Sequence, residues 1–250
     1  MNLQKLAHKR LITLSFILAS FFASFSSQAT IIQLETKFGP IQINLYDEAT
    51  PVTVANFLAY LNDGDYTNTF IHRSIAGFVI QGGGYTFDTT WVEVEAITSK
   101  GQITNEPLYS NIRGTIAMAR SSAVNSATSQ WYINLADNSL ALDNQNEGFT
   151  VFGEIIGDGL NVVDQIEAVD TDNELPLDNW DGVSDPDENN LIIISAINII
   201  DATVDSAAGL NPPLAIDPPA PVEQPSGSSG GGSLGFFCLF LVMLGFRKKS

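Results

Sequence analysis

Two runs near the start of the chain alternate with a period of two. Ile32, Leu34 and Thr36 interleave with Gln33 and Glu35, and Ile41, Ile43 and Leu45 interleave with Gln42 and Asn44; Gly39-Pro40 separates them. That period puts every apolar side chain on one face of a strand, so the pair predicts a β-hairpin with one buried face. Further strand-like runs cover 77–81, 115–119, 130–135, 150–156 and 191–200. Thr50 followed by Pro51 predicts an N-cap and a first helical residue. Val54, Phe57, Leu58 and Leu61 follow at helical spacing, and Gly64 is a natural stop. A second helix fits 159–168, with Leu160, Val163 and Ile166 on one face. Many strands and two helices predict a mainly β barrel or sandwich with helical lids.

The two ends of the 250-residue chain have a different character. Residues 1–29 read as a signal peptide: Lys5, Lys9 and Arg10, then an apolar stretch from Leu11 to Phe25, then Ser27-Gln28-Ala29 before a cut at Thr30. The working domain is expected over 30–202. Residues 203–233 are rich in Pro, Gly and Ser and read as a linker. Residues 234–250 form an apolar run closed by Arg247-Lys248-Lys249. As a helix, Leu234 to Phe246 reaches only about 20 Å, short of the ~30 Å hydrocarbon core. The glycines, apolar run and basic end together resemble the GlyGly-CTERM sorting tail of Gram-negative bacteria. That resemblance implies a rhomboid-type protease as a partner. It also implies export to the periplasm, cell surface or medium, with a transient inner-membrane anchor at 234–246.

Charge and rare residues exclude several functions. The chain carries 28 acidic and 11 basic residues, net −17. Between Arg10 and Arg247 only Lys37, Arg73, Lys100, Arg113 and Arg120 face all 28 acids, leaving −23. Such a surface repels phosphate backbones, which excludes nucleic acid as a partner. The single Cys238 lies in the apolar tail and His72 is the one histidine past the leader. The working domain therefore has no disulfide, thiol nucleophile or multi-histidine metal site. A hydrolase would need an activated nucleophile, and none is visible. The acids between Asp170 and Asn190 do not match the EF-hand spacing and read as a solvated loop rather than a calcium site.

Three separated stretches carry the chemistry. The first is Phe70-Ile71-His72-Arg73-Ser74-Ile75-Ala76-Gly77-Phe78-Val79-Ile80-Gln81-Gly82-Gly83-Gly84. The second runs from Gly114-Thr115-Ile116-Ala117-Met118-Ala119-Arg120 to Ser126-Ala127-Thr128-Ser129-Gln130-Trp131-Tyr132-Ile133-Asn134, and the third is Phe149-Thr150-Val151-Phe152-Gly153. Read singly, the glycines are a turn, Phe78, Met118 and Tyr132 are core, and Arg73 is a surface ion-pair residue. Together, in this order, they resemble the cyclophilin-type peptidyl-prolyl cis-trans isomerases, over about 31–200 and closest to the bacterial periplasmic branch.

The resemblance implies a closed eight-stranded antiparallel barrel capped by two α-helices. It implies rotation of X-Pro bonds in exported proteins, with proline-containing polypeptides as partners, a monomer, and no cofactor. Arg73 matches the family's catalytic arginine, and Gln81 the glutamine that binds substrate and orients it. Phe78, Met118, Tyr132, Leu142 and Phe149 fall at proline-pocket positions. Val79 stands where Met is common and shortens the pocket floor. Ala119, Arg120 and Gln130 fall at peptide-contacting positions, Arg120 mainly through its backbone. Tyr132 replaces a usual Phe, so its hydroxyl needs a partner. Ala141 replaces a ring and opens one side of the site, which motivates the alternative of a non-catalytic module displayed at the cell surface to hold proline-containing segments.

Overall fold

The computed structural model describes residues 30–88, 93–202, 210 and 212–215. The leader, most of the linker and the apolar tail lie outside the described residues. The alternating runs form β1 (Ile31–Thr36) and β2 (Gly39–Leu45), paired antiparallel through a two-residue turn at Lys37 and Phe38. Their inward residues Ile32, Leu34, Ile41 and Ile43 are all buried.

Among the described residues the main sheet has eleven strands, against eight expected. The difference comes from one bent strand and one added hairpin. Residues 69–75 run as β3 (Thr69–Phe70), which pairs with β13 (Ile193–Asp201), and β4 (Arg73–Ile75), which pairs with β5 (Val79–Gly82). At the bend the Ile71 N–H donates to the Ile192 carbonyl and the His72 N–H to the Gln81 carbonyl. The split strand thus closes a ring whose other members, in order, are β5, β9 (Trp131–Asn134), β8 (Thr115–Met118), β10 (Val151–Ile156), β2, β1 and β13. Every pairing in the ring is antiparallel. The expected eight-stranded barrel is this ring. The added hairpin is β6 (Tyr85–Asp88) with β7 (Glu93–Ala96), attached to β3. A separate small hairpin joins β11 (Thr171–Asp172) to β12 (Leu175–Pro176).

Helix α1 (Pro51–Asn62) begins at Thr50 as expected, but the cap differs. The Thr50 hydroxyl donates to the Tyr46 carbonyl, and the Glu106 carboxylate accepts from the Val52 and Thr53 N–H groups and the Thr53 hydroxyl. A distant anion thereby satisfies the helix's free amides. Helix α2 (Ser139–Leu142) is one turn, and α3 (Gly159–Glu167) lays Val162, Val163 and Ile166 on the barrel. After the domain, residues 213–215 return to pair with 108–110. The Ser110 N–H donates to the Pro213 carbonyl and the Ala215 N–H to the Leu108 carbonyl.

Candidate active site

Strand parity divides the barrel's side chains. Ile80, Trp131, Ile133, Ile116, Met118 and Phe152 point inward and form the core. The residues between them point outward, and register lines them up. Arg73 on β4 faces Gln81 on β5, Gln81 faces Tyr132 on β9, Tyr132 faces Ala117 on β8, and Ala117 faces Val151 on β10. Neighbouring strands lie about 4.8 Å apart, so a cation, an amide, a ring and two small apolar groups follow one another across the outer face.

The apolar end is a packed cluster. Val79, Ala119, Tyr132, Leu142 and Phe149 are buried in it, with Phe78 at its margin. The Tyr132 and Phe149 rings meet edge to face, centroids 6.0 Å apart. Leu142 comes from α2. Phe149 follows Gly148, whose φ of 75° and closeness to the Asp143 carbonyl (2.5 Å from an added Cβ) admit only glycine. The Tyr132 hydroxyl donates to Asn111 Oδ1 at 2.7 Å, which supplies the partner that its burial demands. Burial raises its pKa well above that of an ordinary phenol. Asn111 is in turn held by Asp143, which accepts from the Asn111 N–H and side-chain amide and from the Ser110 hydroxyl.

The polar end is a chain of contacts. Gln81 Nε2 donates to Gln130 Oε1 at 2.7 Å, and the Gln130 side chain also meets His72. Burial, and then the charge of Arg73, lower the His72 pKa to about 4, so its imidazole is neutral. Arg73 Nε donates to Glu174 Oε2 at 2.6 Å. Besides His72 Nδ1, two buried atoms at this end have no hydrogen-bond partner among the described residues: the donor Arg73 Nη1 and the acceptor Gln81 Oε1. They belong to residues that face each other across β4 and β5.

The structure gathers Arg73, Gln81 and Gln130 at the polar end, and Phe78, Val79, Ala119, Tyr132, Leu142 and Phe149 at the apolar end. One expectation is corrected. Met118 lies inside the barrel, because it alternates with the outward Ala117 and Ala119 and shares the face of Ile116. Arg120 is buried and clamps a loop: Nη2 donates to the carbonyls of Gln145, Asn146 and Gly148, and the guanidinium sits 4.3 Å from the Phe149 ring centroid. The run Gly82–Gly84 is explained by packing. A Cβ at Gly82 would meet the Trp131 ring at 2.9 Å, one at Gly83 the indole nitrogen at 2.6 Å, and one at Gly84 the Gln130 side chain at 3.0 Å. Ala141 is exposed on α2. In the acidic loop, Asp181 accepts from the Val183 N–H and from the Ser184 N–H and hydroxyl, bonds that hold its carboxyl down to about 2. Glu174, Asn111 and Asp143 were not singled out by the sequence. A fully buried Asn and an Asp paired over more than thirty residues carry no local signal.

The model for cyclophilin-type peptidyl-prolyl cis-trans isomerases matches residues 31–194. The chain is 39% identical over 171 residues to peptidyl-prolyl cis-trans isomerase A of Dickeya dadantii, covering 65% of this chain and 84% of that one. It is 41% identical over 147 residues to peptidyl-prolyl cis-trans isomerase B of Escherichia coli, covering 56% and 86%. The crystal structure of a cyclophilin-type isomerase of Cryptosporidium parvum superposes with a TM-score of 0.52 at 23% identity, covering 69% of this chain and 98% of that one, and shows the shared fold. The chain belongs to the cyclophilin-type peptidyl-prolyl cis-trans isomerase family. It is an isomerase, and proline-containing peptides are the ligands of its family.

Proposed function

We propose that Arg73 and Gln81 carry the isomerisation and that the slot formed by Phe78, Val79, Ala119, Tyr132, Leu142 and Phe149 holds the proline ring. The observation that supports this most is the open pair, Arg73 Nη1 and Gln81 Oε1, buried beside that slot. A buried donor and acceptor left unpaired are costly, and a bound peptide can supply both complements. The X-Pro barrier of about 18–20 kcal/mol comes from amide resonance. In the half-rotated state the prolyl nitrogen regains its lone pair. A guanidinium donating to that nitrogen binds the twisted amide better than either planar one, which lowers the barrier without proton transfer. Gln81 Oε1 accepts a peptide N–H and keeps one side of the bond still while the other turns. Gln130 holds Gln81 through the bond to Nε2.

The test is exchange NMR on a proline peptide with the full chain and its Arg73→Ala variant. Loss of one fixed transition-state donor should lower kcat/KM by about 10²–10³. An Arg73→Ala enzyme that turns over like the parent refutes the assignment.

We further propose that the protein is an exported, monomeric folding factor. The basic-apolar-small order of residues 1–29 supports export, and the Gly-rich, apolar and basic order of 226–249 supports handling by a rhomboid-type sorting protease. Mass spectrometry of the mature termini tests this: a chain that keeps both ends refutes it.

A further inference from the structure

The turn between β11 and β12 has two residues, Asn173 with φ 48° and Glu174 with φ 70°. A two-residue hairpin with positive φ at both positions is a type I′ turn, whose preferred sequence is Asn-Gly. Asn173 fits. Glu174 occupies the glycine position, in a backbone conformation that side chains with a Cβ adopt only at a steric cost. The turn is fixed in place: the Ser74 N–H donates to the Glu174 carbonyl, and the following Leu175 is buried against Phe70 and Phe87. From there the Glu174 carboxylate reaches Arg73 Nε at 2.6 Å. The Arg73 side chain is 9% exposed and that of Glu174 is 42% exposed, so Glu174 contributes little to the core.

We infer that Glu174 is a positioning residue for the isomerase reaction, keeping a strained turn in order to hold the Arg73 guanidinium by its stem. A carboxylate on Nε fixes the rotation of the planar fork and leaves Nη1 unpaired towards bound peptide. Backbone strain that persists beside a reactive group is the pattern expected where geometry serves function. The inference rests on the reading of Arg73 as the cation that acts on the prolyl nitrogen.

The experiment compares Glu174→Gly, Glu174→Ala and Glu174→Gln in the full chain, with Arg73→Ala as reference. Four quantities are read: kcat and KM by exchange NMR, the thermal midpoint, and the solvent exchange of the Arg73 Nε–H resonance. Glu174→Gly should melt higher than Glu174→Ala, because both lose the ion pair and only glycine relieves the turn, and it should lose about tenfold or more in kcat with KM changed less than about twofold. Glu174→Ala should lose kcat as well. Glu174→Gln keeps an acceptor for Nε, so kcat should return to within about threefold of the parent and the Nε–H should stay protected. A Glu174→Gly enzyme with parental kcat, or equal losses in Gln and Gly, overturns the inference. If Arg73→Ala is inactive while Glu174→Gly is fully active, the positioning role alone fails. If Arg73→Ala is fully active, the reading beneath it fails.

Discussion

Arg120 offers a sharp test of how the slot is built. The loop it clamps contains Asn146 with φ 49° and Glu147 with φ 69°, two non-glycine residues in left-handed conformation. Left alone, such a loop would relax. Arg120 Nη2 holds it through the carbonyls of Gln145 at 3.1 Å, Asn146 at 2.7 Å and Gly148 at 2.8 Å, and Nη1 donates to the Ser121 carbonyl at 3.1 Å. Burial lowers the Arg120 pKa from its ordinary value, so the charge is a desolvated one that these carbonyls and the Phe149 ring compensate. Arg120→Lys keeps the charge but loses the planar fork. One ammonium cannot reach the same set of carbonyls and also cover the ring. Losing two bonds to a charged group at about 1.5 kcal/mol each, plus about 1 kcal/mol of ring contact, predicts about 4 kcal/mol of destabilisation. The loop leads straight into Phe149, so KM for a proline peptide should rise several-fold. Arg73 and Gln81 are untouched, so kcat should change little. Urea unfolding followed through Trp131 fluorescence reads the first effect, and exchange NMR at varied peptide concentration the second. An unchanged urea midpoint would refute the clamp. A fall in kcat at constant KM would refute the positional account and place Arg120 in the reaction itself.

Two further outcomes follow from the buried polar groups and the returning chain end. His72 has a folded-state pKa of about 4 against an ordinary 6.5, so the unfolded chain takes up its proton first. Stability should be full above about pH 6.5 and fall between about pH 6.5 and 4, in total by about 3 kcal/mol from this group. Replacing it in His72→Gln should shrink the pH 7 to pH 4.5 difference in unfolding free energy by about 2–3 kcal/mol, and an unchanged difference would exclude this source. Ala215→Pro removes the N–H that donates to the Leu108 carbonyl, so the Ser110 amide should exchange about tenfold faster in the full chain; equal exchange rates would mean that residues 213–215 do not stay docked.

The strands were legible because each carries its own alternation. Ile32, Leu34, Ile41 and Ile43 need no distant information to declare a buried face. The closure was legible only through the family resemblance, since locally it depends on a bend at Ile71 and His72 where one strand changes partner from β13 to β5. No local propensity marks that bend. Met118 is instructive in the other direction. Its parity with Ile116 already turned it inward, and the family resemblance drew it into the slot against that parity. The polar end was half legible. Arg73 and Gln81 sit eight residues apart around a tight turn, a separation that places them opposite each other. Glu174, 101 residues from Arg73, reaches it only through the packing of a separate hairpin.

The charge arithmetic acquires a physical meaning once the five cations between Arg10 and Arg247 are located. Lys37, Lys100 and Arg113 are exposed or half-exposed and pair with Asp178, with Asp63 and Asp65, and with Asp164. Arg73 and Arg120 are buried. In a chain so rich in acids, a cation left at the surface finds a carboxylate. For Arg73 to keep an unpaired donor it must be walled off from that surplus. The outer face of β4 and β5 does this, admitting one carboxylate, at Nε, and shielding Nη1. A guanidinium pairing through Nη1 with a mobile acid would have to give up that partner each time a peptide bound. Under the role proposed for Arg73, a fork held at Nε by a fixed turn would meet the prolyl nitrogen without reorganising, and preorganisation of this kind is the usual origin of electrostatic catalysis.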